Sequence, residues 1–370
     1  MIKKSSTPNI SVKIKGKNVL VAPLDWGLGH TTRCIPIINA LIINHYHVIL
    51  AASGKSAALL QKEFPHLTIV PLAGYHVQYA QSSKWLPVKL LLQVPKIIRA
   101  IKNEHAVLNE MVQQYSINWV ISDNRFGLYH PAVHCTFITH QLTILAPYQW
   151  LRNLLQRINY QYINRFDTCW VPDMGGDEGL AGILSHPKQL PAIPVQYMGM
   201  LSRFENTASF HPGYVYDYCF LLSGPEPQRT LLENIVLSKI EQIDASIIVL
   251  RGLPEQANAI KSKHNILSHL PGKALQQVIE QSKFVIARSG YTTVMELLSL
   301  QKKCFFIPTP GQTEQEYLAE RLADLQLCFM VKQEHLNIAE QLTALEQFPF
   351  KTIQPKIFTA QQLKLLMQNL

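Results

Sequence analysis

Two stretches in the second half of the chain each join an apolar strand to a polar, glycine-containing turn and a helix start. The first reads Phe284-Val285-Ile286-Ala287, then Arg288-Ser289-Gly290-Tyr291-Thr292-Thr293, then Val294-Met295-Glu296-Leu297-Leu298. The second reads Cys304-Phe305-Phe306-Ile307, then Pro308-Thr309-Pro310-Gly311-Gln312-Thr313-Glu314-Gln315. A turn of this kind aims unpaired backbone N–H groups and the positive end of a helix past the strand tip, which suits a phosphate. Glu296 falls about one turn into the first helix, where a carboxylate can accept from two neighbouring ribose hydroxyls. The spacing predicts a pocket for a sugar nucleotide.

The first half offers a different chemistry. Its first loop is Pro23-Leu24-Asp25-Trp26-Gly27-Leu28-Gly29-His30-Thr31-Thr32-Arg33. Two glycines let the backbone turn off the strand and approach a ligand closely. The third glycine of a dinucleotide fingerprint is replaced by Thr32, which disfavours NAD. His30, near the helix start, can act as a base toward an incoming hydroxyl. Asp25 does that work instead, or orients His30; equally, His30 caps the helix and Asp25 shapes the turn. Further on, Ser122-Asp123-Asn124-Arg125-Phe126-Gly127 follows the buried run Trp119-Val120-Ile121, and His140-Gln141 follows Phe137-Ile138-Thr139. Asp123, Asn124, Arg125 and His140 thereby face the cleft of the first loop and suit a polar acceptor, the alternative for Asp123 and Arg125 being a local ion pair. In the second half, Ser223-Gly224-Pro225-Glu226-Pro227-Gln228-Arg229 offers a hydroxyl, a backbone N–H and a charge to a diphosphate. No Gly-x-x-x-x-Gly-Lys-Ser/Thr motif exists, so P-loop phosphoryl transfer is excluded.

Alternating strands and helices position these loops. Strands are predicted at Asn18–Pro23, His47–Ala52, Leu67–Pro71, Trp119–Ser122, Cys135–Thr139 and Thr168–Val171, with helices at 33–44, 87–115 and 148–165. The pattern lapses into Pro-rich sequence over 188–213, the expected join. It restarts with strands at Tyr216–Leu222, Ser246–Leu250, Phe284–Ala287 and Cys304–Ile307 and a helix at Gln228–Ile240. This is an α/β chain of two Rossmann-like domains with parallel sheets, 1–200 and 201–355, with residues 356–370 carrying a last helix (360–369) that returns to the first domain. Parallel sheets bind ligands at the carboxyl ends of their strands, which places the chemistry in the interdomain cleft.

Bulk properties agree. A chain of 370 residues exceeds the usual single core. The 34 basic against 25 acidic residues give +9, which favours an anionic partner such as a phosphorylated substrate or an acidic membrane surface. No nucleic-acid recognition motif appears. The six cysteines are scattered singly, without a Cys-x-x-Cys pair, and read as buried hydrophobes of a reducing compartment. The histidines lack metal-ligand spacing, and no metal or cofactor is expected. The stretch from Ser5 to Lys17 lacks the apolar core of a signal peptide, so a cytoplasmic protein is expected. Two segments, Ser83 to Leu92 running into Lys96, Arg99 and Lys102, and the Trp150 helix with Arg152, Arg157 and Arg165, interleave Trp and Leu with basic residues and suit the inner face of a membrane, the alternative being a helix with core on one side and solvent on the other.

Taken together, the Gly-x-Gly-His loop, the Pro-rich join, Arg-Ser-Gly…Thr-Val-x-Glu and the Pro-x-Pro-Gly-Gln…Gln loop resemble family-28 glycosyltransferases. The resemblance spans nearly the whole chain and is most specific from Arg288 to Tyr317. It implies a GT-B architecture, with the donor held mainly by the C-terminal domain and the acceptor by the N-terminal one. By that match Glu296 binds the ribose, and Arg288, Ser289, Gly290, Ser223, Gly224, Thr292 and Thr293 surround the diphosphate. Gln315 meets the donor sugar, Gln312 and Gly29 complete the donor site, the loop His269–Gly272 covers the base, and His30 lies near the anomeric carbon. The resemblance further implies inversion at the anomeric centre without a bound metal. Three departures stand out: the first loop lacks a run of three glycines, the second-half phosphate loop is Ser-Gly-Pro-Glu-Pro, and Gln315-Glu316 replaces the paired glutamines of the cell-wall N-acetylglucosaminyltransferases in that family. The expected activity is transfer of a hexose or N-acetylhexosamine from a UDP-sugar to a hydroxyl, with His30, then Asp25 or Asp123, as base. A hydrolysing UDP-sugar epimerase and a non-catalytic nucleotide-sugar-binding protein are the alternatives.

Overall fold

A computed structural model describes residues 16–25, 27–75, 86–146, 148–205, 213–254 and 260–368, with backbone alone at 86–92. Trp26, the basic stretch Ser83–Trp85 and the end of the last helix at 369 lie outside them, as do the side chains of Leu86–Leu92. The chain forms two sheets. The first has seven parallel strands in the order β3-β2-β1-β4-β5-β6-β7: β1 (Asn18–Pro23), β2 (His47–Ala52), β3 (Thr68–Pro71), β4 (Trp119–Asp123), β5 (His134–Ile138), β6 (Thr168–Val171) and β7 (Val195–Tyr197). Its helices are α1 (Leu28–Ile43), α2 (Gly54–Glu63), α3 (Leu86–Gln114) and α4 (Gln149–Ile163).

The strands are continuous apolar runs because both faces are covered. In β1, Val19 and Val21 pack on the α1 side with Ile37, Ile38 and Leu41. Leu20 and Ala22 pack on the opposite side with Leu108 and Met111 of α3. This alternation is the period-two geometry of a strand buried twice. β7 lies inside the stretch expected to be a linker; its register with β6, Cys169 opposite Val195 and Val171 opposite Tyr197, extends the sheet.

The second sheet has six parallel strands in the order β10-β9-β8-β11-β12-β13: β8 (Tyr216–Leu221), β9 (Ile247–Leu250), β10 (Asn265–Leu267), β11 (Ser282–Ala287), β12 (Lys303–Phe306) and β13 (Cys328–Met330). Around it lie α5 (Gln228–Ile240), α6 (Gly272–Glu280), α7 (Tyr291–Ser299), α8 (Thr313–Asp324) and α9 (Ile338–Gln347). The final helix, α10 (Ala360–Gln368), packs on the first sheet's side of the molecule. Its Leu363 and Leu366 join the core of α1, and Asn44 donates to the Ala360 carbonyl at 3.0 Å.

Both sheets reverse strand order beside their first strand, between β1 and β4 and between β8 and β11. A crevice opens at such a switch point, because the connections on either side leave in opposite directions. The tips there are Pro23 beside Asp123, and Leu221 beside Ala287. The loops singled out above therefore emerge at the two places where a ligand has room.

Candidate active site

Gly27, at φ +92°, turns the chain off β1 and starts α1, which places His30 and Arg33 in its first two turns. His30 Nδ1 lies 3.0 Å from Asp123 Oδ2 at the tip of β4. Arg33 Nε donates to both Asp123 oxygens, at 3.1 and 2.9 Å, and its Nη2 donates to Oδ1 as well. Burial alone would raise the Asp123 carboxyl, but Arg33 and His30 outweigh it and hold the group well below the usual carboxylate range. His30 is pushed below its ordinary value by burial first and then by Arg33, with Asp123 opposing. An ionised carboxylate only accepts, so Nδ1 carries the proton and Nε2 keeps its lone pair. That is the state a general base requires.

Asp25 does not orient His30. Its Oδ1 accepts from the Tyr75 N–H at 3.2 Å, and its carboxylate fills the space over Gly74, where a Cβ would stand 1.4 Å from Oδ2. The alternative of an Asp123–Arg125 pair fails too. Arg125 is fully buried; its Nε donates to Glu104 at 2.7 Å, Nη1 to the Pro23 carbonyl at 3.2 Å, and Nη2 to the Ala73 carbonyl. It ties three strand tips to α3 and has no free donor edge for an acceptor. His140 is also buried, accepting from Arg33 Nη1 at 2.7 Å and facing Glu314 Oε1 at 3.0 Å, so it too is engaged within the protein. Asn124 sits in left-handed backbone, φ +55°, with its N–H on the Ile138 carbonyl at 3.0 Å.

In the second domain the expected cation turns inward. Arg288 is 1% exposed; Nη1 donates to the carbonyls of Ile307 and Pro308, both at 3.1 Å, and Nη2 to Gln228 O at 2.9 Å and Gln333 at 2.6 Å. Burial brings its pKa down to about 10. The guanidinium clasps the loops that follow β11 and β12 to the start of α5, instead of reaching a diphosphate. Ser289 donates to the Gln315 carbonyl at 2.8 Å, and the Gln315 amide bonds Thr309 N at 3.0 Å and Gln312 at 2.6 Å, so these side chains build the loop. Arg229 is held by Glu226 at 2.6 Å and Glu233 at 2.8 Å and brings no surplus charge to the Ser223-Gly224 turn.

The backbone remains. Gly290 is the N-cap of α7 and makes no side-chain cap to its first N–H groups, and a Cβ there would meet open space. Gly224, at φ +111°, leaves the facing turn equally open. Thr292 Oγ1 donates to the Gly29 carbonyl at 3.0 Å, which brings the starts of α1 and α7 together across the two domains, with Thr293 beside it on α7. Glu296 is 7% exposed and pairs with Arg203 Nε at 2.9 Å; burial raises its carboxyl and Arg203 only partly offsets this. Arg288 and Glu296 thus do not converge through their side chains.

The sequence reading missed Arg33, Arg203, Tyr291 and Glu314 as parts of this site. Arg33 had a usable signal, since three residues after His30 places it on the same helical face. Arg203 lies in the Pro-rich join, where no periodicity marks it.

Residues 234–370 match the glycosyltransferase family 28 C-terminal domain. A curated relative, the UDP-N-acetylglucosamine–N-acetylmuramyl-(pentapeptide) pyrophosphoryl-undecaprenol N-acetylglucosamine transferase of Pasteurella multocida (strain Pm70), is 27% identical over 141 residues, 36% of this chain and 39% of that protein. Its counterpart in Sulfurihydrogenibium sp. (strain YO3AOP1) is 25% identical over 128 residues, 34% of this chain and 36% of that protein. The chain therefore spans well under half the length of the curated relatives it matches. Among solved structures, Acinetobacter baumannii MurG superposes with a TM-score of 0.54 at 13% identity, covering 96% of this chain and 100% of that one. The glycosyltransferase SnogD of Streptomyces nogalater gives 0.60 at 13% identity, over 96% and 100%. These likenesses establish the architecture end to end: the chain has a GT-B fold, and its residues 234–370 are similar to the glycosyltransferase family 28 C-terminal domain.

Proposed function

We propose that this protein is an inverting glycosyltransferase that moves a hexose or N-acetylhexosamine from a nucleotide-sugar, with UDP as the nucleotide, to an acceptor hydroxyl. The observation that carries the reading is the meeting of the two helix starts: His30, held by Asp123, opens α1, and the Gly29 carbonyl beside it touches Thr292 of α7. A base and an anion-stabilising helix end are thereby brought to one place. In the reaction, His30 Nε2 takes the proton of the acceptor hydroxyl as its oxygen bonds to the anomeric carbon. The bond from that carbon to the diphosphate oxygen breaks on the opposite face, so one displacement inverts the centre. The leaving diphosphate meets the N–H groups of Gly290 to Thr293 and the Ser223-Gly224 turn, and the reading calls for no resident metal.

Glu296 is assigned to the ribose hydroxyls, with Arg203 beside it. Glu296→Ala is expected to weaken UDP binding about tenfold or more, the loss of charged hydrogen bonds worth roughly 1.5–3 kcal/mol. Calorimetry with UDP checks it, with Glu296→Gln as the variant that keeps the side-chain volume; unaltered affinity in both removes Glu296 from the donor site. The same preparation incubated with UDP-sugar and no acceptor separates transfer from hydrolytic epimerisation, which would release UDP together with an altered sugar.

On the acceptor side, a cavity of about 250 Å³ lies between Leu72–Gly74, past β3, and the Arg99, Asn103 and Val107 face of α3. Gly74 rests on Asp25, so the cavity adjoins the loop that carries His30. A lipid-linked acceptor fits an adjacent surface. On α4, Trp150 (67% exposed), Leu154 and Ile158 line one exposed face, and on α3 so do Val94 and Ile98. Ile97 and Ile101 of α3 and Tyr162 of α4 belong to one apolar cluster. Exposed Arg99, Lys102 and Arg157 flank this apolar face. No helix among the described residues is long and apolar enough to cross a membrane, so we propose peripheral contact with anionic lipid. Sedimentation with phosphatidylglycerol vesicles should carry the protein down at low salt, and phosphatidylcholine vesicles should not. Leu154→Asp with Ile158→Asp should abolish the effect, and equal recovery on both vesicle types would refute it.

A further inference from the structure

We infer that His140 is a positioning residue that couples closure of the two domains to alignment of the base, an inference that rests on the transferase reading of the same site. His140 follows β5 by two residues and belongs to the first domain, yet its ring meets Glu314 and Tyr291 of the second. Arg33 Nη1 donates to its Nδ1 at 2.7 Å. A guanidinium has donors only, so Nδ1 is unprotonated and the ring proton sits on Nε2. Nε2 then donates to Glu314 Oε1 at 3.0 Å, in the first turn of α8. One face of the ring stacks on Tyr291, centroids 3.9 Å apart and planes 23° from parallel. Tyr291 opens α7, and its hydroxyl donates back to the Pro172 carbonyl of the first domain.

The guanidinium that His140 accepts from is the one that grips Asp123, and Asp123 holds His30. A continuous line of polar contacts therefore runs Glu314, His140, Arg33, Asp123, His30. Other contacts also bridge the domains: Arg321 donates to Gly179 O at 2.9 Å and Leu180 O at 3.0 Å, and Ile183 N donates to Tyr317 at 3.0 Å. Those end in backbone away from the base, whereas the His140 line ends on His30. Separating the domains removes both Glu314 and Tyr291 from His140. The ring then loses its stacking surface and its acceptor, and Arg33 loses the fixed partner that sets its angle on Asp123. Domain closure of this hinge type is the ordinary way a two-domain site completes its catalytic set.

The test uses the full chain and three readouts: small-angle scattering, UDP calorimetry, and acceptor-dependent UDP release from UDP-N-acetylglucosamine. A compact chain of this length has a radius of gyration of about 21 Å. Glu314→Leu, which cannot accept from Nε2–H, should increase the radius and slow UDP release about tenfold, with UDP affinity changed less than about twofold. Glu314→Gln keeps an acceptor oxygen and should recover most of both losses. His140→Ala should behave as Glu314→Leu; an unchanged circular-dichroism spectrum and melting temperature certify its fold, and if it does not fold, the two Glu314 variants decide. A wild-type radius and a wild-type rate in Glu314→Leu overturn the proposal, as does a Gln variant as impaired as the Leu one, which would assign the effect to charge and not to the hydrogen bond. If wild-type protein neither binds UDP nor releases it, the transferase reading fails, and the scattering comparison still decides the latch.

Discussion

His30→Ala is expected to lower turnover a hundredfold or more, on the scale of lost general-base catalysis, while UDP affinity stays within about twofold. The argument is local. His30 lies in the first turn of α1, its Nδ1 on Asp123 at 3.0 Å, and the diphosphate is assigned to α7 across the cleft. Removing the imidazole takes away the proton acceptor and leaves the nucleotide's contacts in place. The pH profile sharpens the test. Burial and Arg33 lower the His30 pKa, so the ring stays neutral as pH falls through the ordinary histidine value near 6.5. Wild-type turnover should therefore hold to below that value before its acid limb begins, and the limb should vanish in the alanine variant. Release of UDP with acceptor present, followed from pH 5 to 8, measures both. Undiminished turnover would remove His30 from the mechanism. Asp25 would then be next in line, because Asp123 is held ionised by Arg33 and His30 and is a weak base.

Why some of this was legible in the sequence and some was not follows from particular residues. The runs at Asn18–Pro23 and Trp119–Asp123 are buried on both faces, and a run of that kind reads as parallel strand without any long-range information. The loops after such strands must emerge at the carboxyl edge, so the first-domain loops, the Ser223-Gly224 turn and the Gly290 turn were locatable. The strand Val195–Tyr197 was not: three residues just after Pro191 and Pro194 carry too little alternation to separate from a linker. Side-chain direction was harder still. A charge at a strand tip suggests a ligand, yet Arg288 and Arg125 turn inward. Their acceptors are carbonyls of Ile307, Pro308 and Gln228 for the one and of Pro23 and Ala73 for the other. Those groups come from loops far along the chain, and no local pattern encodes their convergence. Asp123 and Arg33 stand 90 residues apart for the same reason. Local chemistry named the loops; only the fold assigned the partners.

Asp123→Ala should destabilise the first domain by about 3–5 kcal/mol at neutral pH, the usual cost of leaving one half of a buried ion pair behind. The stranded group is Arg33, 2% exposed and held on helix α1 away from bulk solvent. Its remaining acceptor is His140 Nδ1, a neutral ring that cannot balance the charge. The wild-type pH dependence follows from the same pair. The folded Asp123 carboxyl is held below its unfolded value near 3.9, so between the two the unfolded chain binds the extra proton and stability rises with pH. The contribution is fully present above about pH 4 and is lost as pH falls toward the folded value. Urea denaturation of both proteins at neutral pH and near pH 3 checks this: the gap between them should be wide at the first and narrower at the second. A neutral-pH gap under about 1 kcal/mol would show that Arg33 finds another anion or that water enters the site. Turnover should fall in the same variant, because the His30 tautomer depends on Asp123 accepting from Nδ1. His30→Ala should lose turnover at nearly wild-type stability, since it leaves the buried pair whole. Comparing the two variants therefore separates the scaffold's electrostatics from the base's chemistry, although both substitutions fall within one hydrogen-bonded cluster.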